Sequence, residues 1–444
     1  MNVKSIIDNR ISGYQWQILA ICFLISVVDG LDSQIMSVAG PVIAREMSLP
    51  ASALGPMLSA SQWGALAGAF IFGFLADKIG RRPVLVMCGL ILSLTMLATA
   101  LAASYESLVM LRVVTGLGVG GAVPCFLSLA MEYSPERHRG KVVSAMVAAV
   151  PCGGIVAGVL GAALLSRYDW QTVFWACGYL SIGVTALLIF GMPESVAFLI
   201  ERKKSVEEIR RILQKIAPGS VGSNQTGFVL DGSMKVPGKA SVLELFRGRL
   251  ASVTLLSWAA FFMSYLVLIG TLVWTPALMR RAGMEMGEAS TMLSLNNIGS
   301  IAGLFVVGYV TDKFRSRFWL LLSGVYIFGS MSVILMGHLA PAVVPTGGFS
   351  ALTGFFMASS VGVLYAFVAQ VYPTKIRSTG LGWASGMGRL GSSSGPLVLG
   401  FMFAKGWDLM SILYVVALLT VAVVVIIGLM KMVTSANQPE PQPA

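Results

Sequence analysis

A ten-residue segment that occurs twice constrains this chain more than any other feature. Gly73-Phe-Leu-Ala-Asp77-Lys78-Ile-Gly80-Arg81-Arg82 follows the second long apolar run, and Gly308-Tyr-Val-Thr-Asp312-Lys313-Phe-Arg315-Ser-Arg317 follows the eighth. The copies start 235 residues apart in a chain of 444. The same device therefore sits at the same place in two halves of six runs each. Each copy reads as a short loop in which a carboxylate four residues after a glycine precedes a basic cluster.

Composition says what solvates those halves. Hydrophobic residues make up 56% and charged residues 11% of the chain. The mean hydropathy is +0.80. A soluble protein carries about 25% charged residues, so lipid must be the solvent for most of this surface. A bilayer core about 30 Å thick needs roughly 20 apolar residues per helix. Runs of that kind lie near 15–40, 52–76, 84–103, 108–132, 141–165, 170–191, 251–279, 289–311, 318–339, 345–371, 379–404 and 408–430. The predicted fold class is an all-α membrane protein of twelve transmembrane helices in two six-helix bundles.

The net charge of +11 suits either nucleic acid or an asymmetric membrane topology, and position separates the two. With the N-terminus inside, cytoplasmic segments hold 24 of the 31 Lys and Arg residues. Outer segments hold Arg45, Arg167, Arg280, Arg281 and Lys405, and Arg112 and Arg389 fall within spans. That bias puts both termini in the cytoplasm and leaves no basic stripe for nucleic acid. The first run is too long for a signal-peptide core and lacks a convincing cleavage site, so it reads as a retained helix.

The organisation predicted along the chain is an N-terminal bundle over 1–192, a cytoplasmic linker over 193–248, a C-terminal bundle over 249–431 and a disordered cytoplasmic tail over 432–444. The linker opens Pro193-Glu194-Ser195, and its charged stretch Glu201–Lys215 reads as a surface helix. Glycines spaced by four (Gly64/Gly68, Gly116/Gly120, Gly154/Gly158 and Gly382/Gly386) predict close helix packing;. Two similar bundles joined by a linker match the architecture of alternating access, with a substrate site near midplane between the halves.

Several other signals are discounted. Cys22, Cys88, Cys125, Cys152 and Cys177 fall inside spans without paired spacing, and His138 and His338 lie in loops on opposite sides, so no metal site or cofactor is expected;. Asn224-Gln-Thr226 is a glycosylation sequon, unused in a cytoplasmic loop. Gly116-Leu-Gly118-Val-Gly-Gly121 imitates a dinucleotide fingerprint but lacks the strand and turn that motif requires;. No Walker A sequence and no nucleophile–base constellation occurs, which argues against an ATP-driven pump or an enzyme.

Charges within spans cost about 3 kcal/mol even on the lenient insertion scale, so each needs a reason. Asp29 and Asp32 share one face of the first span;. Proximity and burial both favour the protonated form of a carboxylate, which suits proton coupling. Arg112 lies at nearly the depth of these acids, so a pair with Asp32 or with Asp29 is expected. Arg389 stands near the middle of the eleventh span with no acid of the second half at its depth. Its fork suits an anionic substrate; the alternative is a pair with an acid of the first half. Glu132, at the cytoplasmic end of the fourth span, suits a gate with Arg137, Arg139 or the Asp77 loop. Asp77 with Arg81 and Arg82 suits a latch between helix ends.

The repeated segment, with Arg112-x-x-x-Gly116-x-Gly118-x-Gly120, resembles the signatures of the major facilitator superfamily. Within it the chain resembles the aromatic acid:proton symporter family. The most specific pieces are Asp29-Gly30-Leu31-Asp32, Trp274-Thr-Pro276, and Tyr372-Pro373-Thr374-Lys375-Ile376-Arg377-Ser378-Thr379-Gly380 running on to Gly382-Trp383, Gly388-Arg389-Leu390-Gly391 and Gly395-Pro396. The resemblance implies the major facilitator fold and uptake of an aromatic carboxylate with protons across the bacterial inner membrane, by a monomer without cofactors. It also implies functional importance for Asp29, Asp32 and Asp77. The second copy departs from the pattern at Arg315-Ser316, which predicts a weaker latch around Asp312. Trp63, Phe261, Phe262, Tyr265, Trp274, Tyr365 and Trp383 are the aromatic candidates for a ring pocket. Tyr265 and Tyr365 stand out because spans seven and ten commonly line the cavity in the superfamily. The expected site is thus Asp29 and Asp32 for the proton, and Arg389, Arg112, Tyr265 and Tyr365 for substrate. Gly73, Asp77, Arg81, Arg82, Glu132 and Asp312 form the expected cytoplasmic gate. Alternatives are a symporter of aliphatic organic acids or sugar acids, and an exporter of such compounds.

Overall fold

The computed structural model describes residues 3–8, 11–202, 206–219, 228, 242–248, 250–313, 318–373 and 376–435. Among the described residues, twelve long helices carry the chain. They are α1 (Gly13–Glu46), α2 (Leu54–Ile79), α3 (Arg81–Ala100), α4 (Tyr105–Glu132), α5 (Arg139–Leu164) and α6 (Trp170–Gly191), then α7 (Leu250–Arg281), α8 (Met286–Lys313), α9 (Phe318–Leu339), α10 (Val343–Val371), α11 (Arg377–Ala404) and α12 (Leu409–Ser435). Eleven are long and apolar enough to cross a membrane. The remaining one, α11, is as long, but glycine and serine dilute its hydropathy. The protein is a multi-pass membrane protein.

The helices run further than the apolar runs. The expected loop Gly73–Arg82 is helical through Ile79 and broken only at Gly80, because Gly80 N still donates to Ala76 O at 3.1 Å. Gly80 adopts φ +110°, a conformation that glycine tolerates without a Cβ penalty;. α3 restarts at once from Arg81. In the second copy α8 ends at Lys313, while Arg315, Ser316 and Arg317 lie outside the described residues, as does the Asn224 sequon. α12 continues to Ser435, into the segment expected as tail; the rest of that tail lies outside the described residues.

The chain divides into two compact units. One comprises Met1–Ser33, Ala60–Gly153 and Asp169–Val236; the other comprises Gln34–Ser59, Gly154–Tyr168 and Pro237–Ala444. In the first unit α3 packs on α4 and α6. Its core gathers Ile18, Leu85, Cys88, Phe126, Leu129 and Leu188. The charged linker stretch forms the helix Val206–Ile216, whose Ile209, Ile212, Leu213 and Ile216 are buried. They share that core with Val3, Ile6 and Ile7 of the short N-terminal helix Val3–Ile7. Spacings of three and four put these side chains on one face. Lys4 pairs with Glu136 at 2.8 Å, and this bond raises the Lys4 pKa above its ordinary value.

In the second unit α7 packs on α11, α8 on α10, and α9 on α10 and α12. Trp274 of α7 is fully buried and donates from Nε1 to the Pro396 carbonyl of α11 at 3.0 Å.

Glycine sets the closest approaches. A Cβ on Gly64 or Gly68 of α2 would fall on the Val113 or Leu117 carbonyl of α4, and one on Gly116 or Gly120 would fall on the Ser61 or Ala65 carbonyl. The second unit repeats this clasp: a Cβ on Gly299 or Gly303 of α8 would meet the Ala351 or Phe355 carbonyl of α10. Gly64 and Gly299, like Gly68 and Gly303, stand 235 residues apart, the spacing of the repeated segment. Gly154 lies against the side chains of Gln34 and Asn297, and Gly158 against Ser294. Gly382 and Gly386 differ from the expectation of tight packing, since a Cβ at either would meet nothing within 4 Å.

Candidate functional site

The first cluster lies inside the first unit. Ser104 caps α4 and exchanges bonds with Ser107 in a capping box, which fixes the start of the helix that carries Arg112;. Arg112 has no exposed surface and Asp32 only 1%. Arg112 Nη1 donates to Asp32 Oδ1 at 2.8 Å, and Nη2 donates to Thr99 and Thr115 Oγ1 at 3.1 Å each. Thr115 Oγ1 lies 2.9 Å from Thr95 Oγ1, and the guanidinium carbon sits 5.4 Å from the Phe174 ring centroid. Ser61 Oγ makes a longer bond of 3.4 Å to Asp32 Oδ2. Of the two expected partners, the structure pairs Arg112 with Asp32. Both terminal nitrogens are bonded within the protein, Nε is buried without a partner among the described residues, and no part of the side chain is exposed, so in this conformation Arg112 presents no accessible face to a substrate.

Asp29, one turn earlier on α1, is also buried. It lines a cavity of about 30 Å³ among Leu85, Cys88, Val119, Ser181 and Thr185. A cavity of this size has room for water. The two carboxylates thus meet different surroundings, one an arginine and the other a largely apolar hollow.

The second cluster joins helix ends in the same unit. Glu194 Oε1 accepts from the backbone N–H of Arg81 at 3.0 Å, of Arg82 at 3.2 Å and of Ser195 at 2.8 Å. A carboxylate is thereby held at the N-terminus of α3, where orphan N–H groups and the helix dipole favour negative charge. Gly80 makes room for it, since a Cβ there would fall on Glu194 Oε2. Arg81 pairs with Glu132, whose Oε2 accepts from Ser195 Oγ at 2.5 Å. Arg82 Nη2 donates to Ile189 O at 2.8 Å. Tyr133 Oη donates to Glu194 O at 2.5 Å, and burial pushes the Tyr133 phenol well above its ordinary pKa.

Among the gate residues expected from sequence, Glu132, Arg81 and Arg82 belong to this cluster. Asp77 is exposed; its carboxylate makes no ion pair among the described residues, and its backbone carbonyl accepts from Arg202 Nη2 at 2.9 Å. The direct bonds to the arginine segment come from Glu194 and from Glu132, an expected partner of the Asp77 loop, while Asp77 acts on Arg81 only through its charge. A Cβ on Gly73 or Gly308 would meet nothing within 4 Å, and of Asp312 only the helical backbone is described. The missed residue, Glu194, had a signal in Pro193-Glu194-Ser195: an acid just beyond the end of a span, followed by a serine that caps the short helix Val196–Glu201.

The third cluster belongs to the second unit. Arg389 of α11 is half-buried and makes no ion pair among the described residues. Its charge is felt by the hydroxyl of Tyr265 from α7, which hydrogen-bonds the hydroxyl of Tyr365 from α10. Tyr365 Oη donates to Ser385 Oγ of α11 at 2.8 Å. Its ring stands edge-on to Phe261, centroids 4.7 Å apart. Gly388 lets the Tyr265 ring lie against α11, since a Cβ there would strike Tyr265 Cδ2 at 2.6 Å. The structure thus links Tyr265, Tyr365 and Ser385, with Arg389 one turn along α11 from Ser385 and its charge felt by Tyr265. Other aromatic candidates are placed elsewhere: Trp274 packs on Phe403, and Trp383 stacks on Trp258. A further polar pair missed from sequence joins Gln34 to Asn297, whose amides exchange bonds of 2.7 and 3.3 Å.

Chemically, these clusters offer a buried carboxylate–guanidinium pair, a second carboxylate beside a cavity, and an uncompensated guanidinium among hydroxyls. No group of three or more metal-ligating side chains occurs among the described residues.

The model of the Major Facilitator Superfamily matches residues 22–349. The chain is 34% identical to the gallate transporter of Pseudomonas putida, over 92% of this chain and 90% of that protein. It is 30% identical to the 4-hydroxybenzoate transporter PcaK of Acinetobacter baylyi, over 91% and 89%. It is 31% identical to the 3-(3-hydroxy-phenyl)propionate transporter of Escherichia coli, over 87% of each. Among solved structures, a bacterial homolog of the human lysosomal transporter Spinster aligns with TM-score 0.71 at 18% identity, covering 97% of this chain and 100% of that one. A D-xylose–proton symporter aligns with TM-score 0.69 at 16% identity, covering 94% and 97%.

Proposed function

The chain belongs to the Major Facilitator Superfamily, a family of carriers rather than enzymes, and from that premise we propose that it imports a small aromatic carboxylate together with protons. The observation that carries this reading is the half-buried Arg389, without an acid partner among the described residues, its charge felt by Tyr265, which is linked through Tyr365 to Ser385 one turn away on the same helix. A charge at that depth is costly unless something compensates it. A carried carboxylate supplies the compensation with two hydrogen bonds to the planar fork. Relatives that carry gallate, 4-hydroxybenzoate and hydroxyphenylpropionate support an aromatic body behind that carboxylate.

Proton coupling is assigned to Asp29 and Asp32. Protonating Asp32 removes the counter-charge of Arg112, and Asp29 beside its cavity is the second acid on the same helix face. Arg112 then acts on Asp32 rather than on substrate. Glu194, Glu132, Arg81 and Arg82 hold helix ends at the cytoplasmic side. In this reading the protein works as a monomer in the bacterial inner membrane, and the charge bias supports a cytoplasmic side for both termini.

The test is uptake of radiolabelled benzoate, 4-hydroxybenzoate, gallate and aliphatic acids into proteoliposomes, with and without an imposed inward proton gradient. Gradient-driven accumulation of the aromatic acids is expected, and Asp29→Asn should abolish accumulation while leaving the protein inserted. Full accumulation by Asp29→Asn would remove the coupling role, and uptake of aliphatic acids alone would overturn the substrate class.

A further inference from the structure

Serine hydroxyls inside these helices mostly turn back onto a carbonyl one turn earlier, as Ser257 does to Val253, Ser264 to Ala260, Ser332 to Phe328 and Ser393 to Arg389;. Ser385 departs from that habit. Its Oγ accepts from Tyr365 Oη at 2.8 Å, and among the described residues its own proton has no acceptor. The side chain is half-buried and stands four residues before Arg389, so the two share a helix face one turn apart;. Toward that face α11 carries Gly386 and Gly382, and nothing lies within 4 Å of where their Cβ atoms would be. A serine with an uncommitted hydroxyl proton and an arginine without an acid partner thus share the side of α11 on which Gly382 and Gly386 leave open space.

We infer that Ser385 is a second donor to the carried carboxylate, beside Arg389, and that Tyr365 is the positioning residue that aims it. The inference rests on the reading of Arg389 as the carboxylate clamp. The edge-on contact with buried Phe261 fixes the Tyr365 ring, so its hydroxyl reaches Ser385 from a set direction. By occupying a lone pair of Ser385 Oγ, Tyr365 leaves the Ser385 O–H to point away from α10. A hydroxyl that accepts one hydrogen bond also becomes a stronger donor of the next. A carboxylate engaged by the Arg389 fork retains free lone pairs, and Ser385 takes one of them. Two donors one turn apart then set the direction of the bond joining carboxylate to ring. A neutral amide of the same shape presents a single carbonyl oxygen and gains less from the pair.

The experiment compares wild type, Ser385→Ala, Ser385→Thr, Tyr365→Phe and the double variant Ser385→Ala/Tyr365→Phe in proteoliposomes. It measures KM and maximal rate for benzoate and 4-hydroxybenzoate, and inhibition by benzamide. Ser385→Ala should raise KM for both acids about ten-fold, the scale of one charge-assisted hydrogen bond, with the maximal rate within about two-fold of wild type. Ser385→Thr, which keeps the hydroxyl, should stay near wild type, and benzamide inhibition should shift little in any variant. Tyr365→Phe should raise KM less than Ser385→Ala, and the double variant should be no worse than Ser385→Ala. An unchanged KM in Ser385→Ala, or a Ser385→Thr as impaired as Ser385→Ala, would overturn the donor role while leaving Arg389 as the clamp. A wild type that takes up neither acid would overturn the clamp and the donor together.

Discussion

Arg112 and Asp32 form an ion pair at 2.8 Å in which neither side chain has any exposed surface. Removing one partner of a buried pair costs about 3–5 kcal/mol, because the other charge is left uncompensated, whereas removing both costs far less. Asp32→Asn and Arg112→Gln should therefore each lower the thermal unfolding midpoint in detergent and abolish gradient-driven accumulation. The double variant Asp32→Asn/Arg112→Gln should recover most of the midpoint without recovering accumulation. Intrinsic fluorescence during heating checks the first part and proteoliposome uptake the second. A double variant as unstable as either single one would mean that Thr99 and Thr115, rather than charge compensation, dominate the site.

The glycine clasps give a second prediction. Gly64 and Gly299 occupy equivalent places in the two halves, and a Cβ at either falls on a backbone carbonyl of the facing helix. Backbone cannot yield as a flexible side chain does, so Gly64→Ala and Gly299→Ala should each destabilise by about 1–3 kcal/mol, the scale of overpacking. Gly382→Ala and Gly386→Ala, which open on empty space, should leave the unfolding midpoint unchanged. Equal loss at all four positions would show that helix-interior glycine matters here for a reason other than close approach.

These glycines also mark what the sequence made legible. Helix number and position followed from apolar runs, because lipid leaves the backbone no alternative to internal hydrogen bonds, whereas the helix ends run past the runs. The pairing of Arg112 with Asp32 rather than Asp29 was not decided, because both acids stand on one face at similar depth and only the surrounding side chains separate them. The spacing Gly64/Gly68 was visible, but its repeat at Gly299/Gly303 was not, since a four-residue spacing looks the same whether or not a helix faces it. Gly382/Gly386 shows the converse. Glu194 was hidden by distance: its partners Arg81 and Arg82 lie more than a hundred residues away, at a helix end set by backbone geometry. Gln34 and Asn297 carry no charge, so nothing in composition marked them.

Glu194 supplies the third prediction. Its carboxylate accepts three backbone N–H groups, two of them at the start of α3. Glu194→Ala leaves those donors, one buried and two partly buried, without that acceptor, which costs about 1–3 kcal/mol;. Glu194→Gln keeps an acceptor oxygen but loses the charge that the helix N-terminus favours, worth about 0.3–2 kcal/mol. Unfolding midpoints should thus rank wild type above Glu194→Gln and Glu194→Gln above Glu194→Ala. Asp77→Asn, whose carboxylate is exposed, should match wild type in the same assay. A Glu194→Ala midpoint equal to wild type would mean that water replaces the carboxylate at no cost.

Arg389→Lys is the most direct test of how the anion is held. Lysine keeps the charge but replaces a planar fork of five donors with a rotating ammonium. If attraction alone holds the carboxylate, Lys serves nearly as well and KM moves by less than about two-fold. If the fork makes two parallel hydrogen bonds, KM for benzoate should rise by roughly ten-fold, since one charge-assisted bond and its geometry are lost. Arg389→Ala should be worse than Arg389→Lys for anions, and both should retain the fold, because Arg389 makes no ion pair among the described residues whose loss would unpair another charge. Uptake kinetics beside unfolding midpoints for both variants separate these outcomes. A fall in stability without a change in KM would assign Arg389 to packing instead of binding.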